Sequence, residues 1–166
     1  EIAKKFNINQ KNLLKTLKNF KGLKYRQQII HRSKNLTIIN DSKATSYSSS
    51  ASILKSLSNV YWIVGGLAKK NDKFLLSKYN CKTFKAYIFG RDKRHLFKQL
   101  KNVMNCQHFQ NLVFLVKKIF SDIKKEKNKE HKIILFSPAA ASFDSFKNFE
   151  DRGKYFNSLI KKLINV

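Results

Sequence analysis

Three apolar runs govern what this chain can fold into: "VYWIVGG" from Val60, "FKAYIFG" from Phe84 and "KIILFSP" from Lys132. Each has the length of a strand, is apolar at nearly every position, and stops at paired glycines, a glycine or the chain's one proline. A strand without polar alternation is buried on both faces, so these runs predict a mainly parallel sheet with helices covering either side. The intervening stretches supply the helices. One is expected over Asp92 to Lys101, and another where Leu112, Leu115, Val116 and Ile119 share a face. A long terminal helix is expected through Phe156, Ile160 and Leu163, and a short one around Phe74 to Tyr79. "CQHFQ" reads as a further short strand. Upstream, "QQIIHR" and "LTIIN", joined by "SKN", read as a hairpin or a pair of adjacent strands. "DSKATSYSSSASILKSLSNV" then passes from a polar loop into a helix with Ile53, Leu54 and Leu57 on one side. The first twenty residues place Leu13, Leu14, Leu17 and Phe20 on one helical stripe, and Gly22 sits where a helix stops. The predicted fold class is α/β, a Rossmann-like three-layer sandwich with a mostly parallel sheet, preceded by a short helical segment.

Charge narrows the function classes. The 166 residues carry 35 Lys and Arg against 10 Asp and Glu, a formal net charge of +25. Such an excess favours a polyanionic partner. Its make-up points elsewhere, because arginine occurs only at positions 26, 32, 91, 94 and 152, and all other positive charge is lysine. Nucleic-acid surfaces recruit the planar guanidinium fork, so compositional drift toward lysine is the reading favoured here over a basic nucleic-acid-binding module. Cys81 and Cys106 stand apart, with no CxxC pair and no histidine at ligand spacing, which is the pattern of two reduced structural thiols. His31, His95, His108 and His131 are scattered. No apolar run approaches the roughly 20 residues of a membrane span, and the first residues do not form a signal peptide. A cytosolic location is expected. The chain begins at Glu1, so excision from something longer is also expected.

In an open α/β sheet, ligands collect beyond the carboxyl ends of the strands. Four loops fall there: "NDSKATS", "GGLAKKND", "GRDKR" and "SPAAASFDSF". Neither GxGxxG after the first strand nor GxxxxGK[ST] anywhere is present, which excludes a dinucleotide fingerprint and a P-loop on this chain. Each loop has two readings. Asp41 and Ser42 either cap the next helix or face a ligand. Gly65 and Gly66 make a plain turn or admit a ligand to the backbone, with Lys69 just beyond. Phe143, Phe146 and Phe149 suit the core, and Asp144 suits the N-cap of the terminal helix. Arg152, beside Glu150 and Asp151, suits a surface ion cluster of little weight. The amides at the start of the terminal helix suit a carboxylate or phosphate.

Taken in order, "NDSKAT" at 40 to 45, "GG" and a lysine at 65 to 69, "FGRD" at 89 to 92 and "SPAAASFDSFKNFEDRG" at 137 to 153 strongly resemble the C-terminal domain of the Mur ligases. Within that family the wording is nearest to the members that add D-glutamate. "FKGLKYR" at 20 to 26 resembles the exit from the family's central ATP-binding domain. Residues 1 to 24 are thus expected to be the tail of that domain, and 25 to 166 the amino-acid-binding C-terminal domain. The resemblance implies a cytoplasmic ligase of peptidoglycan precursor synthesis. In such an enzyme ATP phosphorylates the carboxylate of UDP-N-acetylmuramoyl-L-alanine, and the amine of D-glutamate attacks the acyl phosphate. By matching motif positions, Thr45, Lys69 and Ser142, with Phe143 and the backbone near Phe149, are implied to hold D-glutamate. Arg26, Asp41 and Lys43 are implied to face the nucleotide. The resemblance also implies that ATP and Mg2+ are bound mainly by the central domain, that the enzyme is a monomer, and that this chain carries no metal ligand and no catalytic residue. The chain alone is therefore expected to have no ligase activity. It departs from the family at Ser46, where asparagine is common, at Tyr25, where histidine usually precedes Arg26, and at Leu67-Ala68, where the family has an acidic-glycine version. A sister ligase that adds a different amino acid is the alternative within the family.

Overall fold

The computed structural model describes residues 1–20 and 22–164. Lys21, Asn165 and Val166, which fall in the expected segments 1–24 and 25–166, lie outside the described residues. The elements run α1 (Ile2–Lys5), α2 (Gln10–Asn19), β1 (Gln28–Arg32), β2 (Leu36–Asn40), α3 (Tyr47–Leu54), β3 (Val60–Gly65), β4 (Phe84–Phe89), α4 (Lys93–Leu100), β5 (Asn105–His108), α5 (Leu112–Lys125), β6 (Lys132–Phe136) and α6 (Phe149–Ile164). The strands form one sheet in the order β1-β2-β6-β3-β4-β5. Only β1 runs antiparallel to its neighbour; every other pairing is parallel. The three-layer α/β architecture expected from the apolar runs is what the chain adopts.

The middle strands show why their sequences do not alternate. All six residues of β3 are buried, because each face of the sheet has its own helical layer. Val60, Trp62 and Val64 point into one core with Ile53 and Leu54 of α3 and Leu96 and Leu100 of α4. Tyr61 and Ile63 point into the other, with Leu115, Val116 and Ile119 of α5 and Phe156 and Ile160 of α6. The second core is closed by Phe136 stacked on Phe156, ring centroids 4.1 Å apart. Fully burying each such side chain contributes roughly 1.5–3 kcal/mol, so these two cores are the main source of stability. Both thiols are buried to some degree, and burial pushes Cys81 up to about 11 and Cys106 to about 12. They are protonated at neutral pH and behave as packing groups.

Several expectations are corrected. No helix forms around Phe74 to Tyr79; the β3–β4 connection is irregular there. Phe74 packs on Trp62 at 5.5 Å and Leu76 is buried, while Leu75 between them is 86% exposed. That in-out-in alternation belongs to extended chain and not to a helix. Neither Asp41 nor Ser42 caps α3, since the Ser46 hydroxyl accepts from the Ser49 amide in that role. The first turn of α6 is capped by Asn148, whose side-chain oxygen accepts from the Asp151 amide at 2.8 Å, and not by Asp144. Phe143 is 69% exposed and so is no core residue, whereas Phe146 and Phe149 are half-buried. The apolar stripe of α2 buries none of its residues against the rest of the chain.

One electrostatic cluster at the end of α5 makes a testable difference. Glu126 accepts from Lys85 and lies 3.7 Å from the Lys132 ammonium. Burial is the largest single influence on its carboxyl and pulls it up, but hydrogen bonding from Lys85 and the charges of Lys85 and Lys132 outweigh it. The group is held below its ordinary value of 4.5. A depressed carboxylate stabilises the fold above its unfolded value, and that contribution disappears as pH falls through the folded one. Stability is therefore expected to drop below about pH 4.5, and Glu126→Gln to show a shallower acid limb in urea midpoints taken across pH 3 to 7. Parallel acid limbs would remove Glu126 from this role.

Candidate functional site

The carboxyl ends of β2, β3, β4 and β6 feed four loops, and the segment after β6 ties the others together. Pro138 and Ala139 come first. The Gly65 amide donates to the Pro138 carbonyl at 2.9 Å, and the Ala139 amide donates to the Ala44 carbonyl at 3.0 Å. Leu67 and Ala141 then exchange a pair of backbone hydrogen bonds, 2.9 Å each, as an isolated antiparallel bridge. Ala139 takes a positive φ of 55° to make this path, a left-handed conformation that costs a non-glycine residue about 1–2 kcal/mol. Thr45 follows Ala44, Lys69 lies two residues past Leu67, and Ser142 follows Ala141. Residues 138 to 141, in the loop of Ser142, thus hold the loops of Thr45 and Lys69 beside it on one rim of the sheet.

The side chains differ in how free they are. Ser142 is buried and Thr45 half-buried, and neither hydroxyl takes a hydrogen-bond partner among the described residues. Lys69 is exposed and forms no ion pair among the described residues. Phe149 is half-buried at the start of α6; its carbonyl accepts from the Ser42 hydroxyl at 2.8 Å, and the Lys43 ammonium sits 3.8 Å from its ring centroid. Lys43, expected on the nucleotide side, is therefore in contact with a residue expected on the D-glutamate side. Arg26 is exposed. Asp41 is buried with both oxygens engaged, one accepting from the Gln27 amide at 3.1 Å and the other from the Ser137 hydroxyl at 2.9 Å. Burial raises its carboxyl above the ordinary value, against the lowering effects of Ser137, the Gln27 amide and the Arg26 charge. Asp41 accordingly holds the end of β2 to the loop after β6.

The largest departure from the sequence reading is Arg152. It is no surface ion cluster but a fully buried side chain beneath the rim. Its Nε donates to the Ser42 hydroxyl at 3.1 Å, Nη2 to the Ser42 carbonyl at 2.8 Å and Nη1 to the Ala140 carbonyl at 2.9 Å. One planar group thereby fixes the loop after β2 to the loop after β6. Three more side chains tie the loops to their surroundings. Asn40 donates to the Gly153 carbonyl and to Asn157. Asp92 accepts from the Ala68 amide and Asp144 from the Arg91 amide. Arg152 was findable: with Phe149, Phe156 and Ile160 it falls on the apolar stripe of α6. Tyr25, a departure from the family pattern, lies against α6 at Gly153, where an added Cβ would come within 2.4 Å of its ring.

Two unpartnered hydroxyls and an exposed ammonium, on loops of one rim near the start of α6, are groups of the kind that bind small anions. Among the described residues no three His, Cys, Asp or Glu side chains gather closely enough to hold a metal ion. No described helix is long and apolar enough to cross a membrane.

A parallel α/β sheet with this rim, carrying the "NDSKAT" and "SFDSFKNFEDRG" blocks on adjoining loops, is of the Mur ligase class, and the chain is homologous to the C-terminal portion of those enzymes. Over 161 residues, 97% of its length, it is 35% identical to UDP-N-acetylmuramoylalanine--D-glutamate ligase of Rickettsia felis. It is 34% identical over 98% of its length to the protein of that name from a Wolbachia of Brugia malayi, and 33% identical over 98% to that of Francisella philomiragia. It covers 36%, 32% and 39% of those three proteins, so it spans about a third of the length of the curated relatives it matches. No protein-family model matches the chain.

Proposed function

We propose that this chain is the amino-acid-binding portion of an ATP-dependent ligase that joins D-glutamate to UDP-N-acetylmuramoyl-L-alanine in cytoplasmic peptidoglycan precursor synthesis. The observation that carries the reading is the stitching of the loops after β2 and β3 onto residues 138 to 141 of the loop after β6, which puts Thr45, Lys69 and Ser142 on loops of one rim. D-Glutamate brings two carboxylates and one amine. The Lys69 ammonium and the Thr45 and Ser142 hydroxyls, with the backbone near Phe149, grip the carboxylates, and the exposed ring of Phe143 borders them. The amine then stays free to attack an activated carbonyl held by the rest of the enzyme. Arg26, Lys43 and the Asp41 turn border the nucleotide. ATP supplies the phosphoryl group that converts the acceptor carboxylate to an acyl phosphate, and ATP and Mg2+ are held mainly outside this chain. The enzyme works as a monomer.

Lys69→Ala in the full-length enzyme is the test. A charge-assisted hydrogen bond to a carboxylate contributes roughly 1.5–3 kcal/mol, so KM for D-glutamate should rise by about tenfold or more while KM for ATP changes little. Equal losses for both substrates would remove Lys69 from the D-glutamate site. The same assay run with L-glutamate, L-lysine and meso-diaminopimelate separates this reading from a sister ligase of different specificity.

A further inference from the structure

At the opposite edge of the sheet, the amino ends of β3, β4, β5 and β6 surround a cavity of about 710 Å3, within the usual range for a small-molecule site. Its floor is apolar, formed by Val60, Phe84, Val103 and Met104. Its rim is cationic. Lys78, Lys82, Lys85, Lys101 and Lys132 line it, against two carboxylates, Glu126 and Glu130, leaving three more positive than negative groups.

Lysine is abundant over the whole surface, so charge alone singles out nothing. What distinguishes this cavity is how its charges are held. Lys132 is buried, 5% exposed, and its ammonium donates to the Asn128 and Glu130 carbonyls at 2.9 Å each and to the Asn128 side-chain oxygen, so it supplies charge but no free donor. The single Glu126 carboxylate is divided between Lys85 and Lys132. Lys78, Lys82 and Lys101 form no ion pair among the described residues. Two ammoniums sharing one carboxylate beside a partly apolar wall leave one positive charge without an anionic partner, which favours a compact polyanion. Asn59, Asn102 and Asn105 add amide groups around it. A diphosphate, with one negative charge on the bridged phosphate and roughly −1.5 to −2 on the terminal one, comes close to the excess of three.

We propose that this cavity binds a small diphosphate-bearing molecule, at the far end of the sheet from the amino-acid rim and independently of the function proposed for that rim. The probe is inorganic pyrophosphate, titrated into the isotopically labelled chain at 150 mM salt and followed by amide resonances. Saturable shifts confined to 82–85, 101–105 and 128–132, with a Kd below about 1 mM, are expected. Lys82→Gln with Lys101→Gln, both exposed, should weaken binding at least tenfold, whereas Lys117→Gln with Lys161→Gln, an equal change of charge on α5 and α6, should leave it within twofold. Shifts that appear first at 65–69 and 137–148, shifts spread over exposed lysines without saturation, or equal weakening by the two double variants would each overturn the proposal.

Discussion

Replacing Arg152 with alanine is expected to cost the fold about 3–5 kcal/mol and to lower the melting temperature by roughly 6–20 °C. The guanidinium is fully buried, and its hydrogen-bonding partners are neutral: the hydroxyl and carbonyl of Ser42, the carbonyl of Ala140 and, at 3.5 Å, the carbonyl of Gly65. Burial pushes it down to about 10, with the charge of Asp144 pulling the other way, so it is still protonated at pH 7. Keeping an unpaired cation there is itself costly. Removing it is costlier, because the Ser42 and Ala140 carbonyls would be stranded in a space that nothing else fills. Lysine should not rescue the loss, since a single ammonium cannot reach two loops in one plane. Urea unfolding followed by circular dichroism is the measurement, and a change below 1 kcal/mol would show that the loops are held together by something else.

That residue also marks where the sequence was legible and where it was not. β3, β4 and β6 are plain in the text because burial on both faces removes polar alternation, and no tertiary detail is needed to see it. The β1–β2 hairpin and the three amphipathic helices α4, α5 and α6 follow from period alone. The β3–β4 connection was misread because "KFLLSKY" is apolar enough for a short helix, while its Phe74-Leu75-Leu76 alternation is visible only once Trp62 and Tyr47 are known to receive Phe74. That the loops after β2, β3, β4 and β6 share one rim follows from strand direction in a parallel sheet, and this too could be read from the sequence. The bonds that join them were out of reach, since Leu67 with Ala141 and Ser42 with Arg152 are contacts between residues 74 and 110 positions apart. The cavity at the other end of the sheet was equally hidden. Its lysines come from strand starts and connections far apart in sequence, in a chain where lysine is everywhere.

Gly66→Ala is expected to damage the rim severely, at about 3–6 kcal/mol. Gly66 has a φ of +134°, where a side chain is strained whatever the space around it. Here there is no space. A Cβ would stand 2.2 Å from the Ala141 carbonyl oxygen and 3.3 Å from the Arg152 guanidinium. That oxygen is the acceptor for the Leu67 amide, so relieving the clash means opening the bridge that ties the loop of Lys69 to the loop of Ser142. Strain and clash can be separated with Gly22→Ala, where φ is +76° but no atom lies within 4 Å of the added carbon; it should cost only about 1–2 kcal/mol. Urea midpoints for the two variants give the difference directly. If Gly66→Ala falls within 1 kcal/mol of Gly22→Ala, the rim yields without loss and the bridge does not set its geometry. If instead the gap is several kcal/mol, the position of Lys69 relative to Ser142 is fixed by backbone, and a dicarboxylate meets a rim that is already shaped.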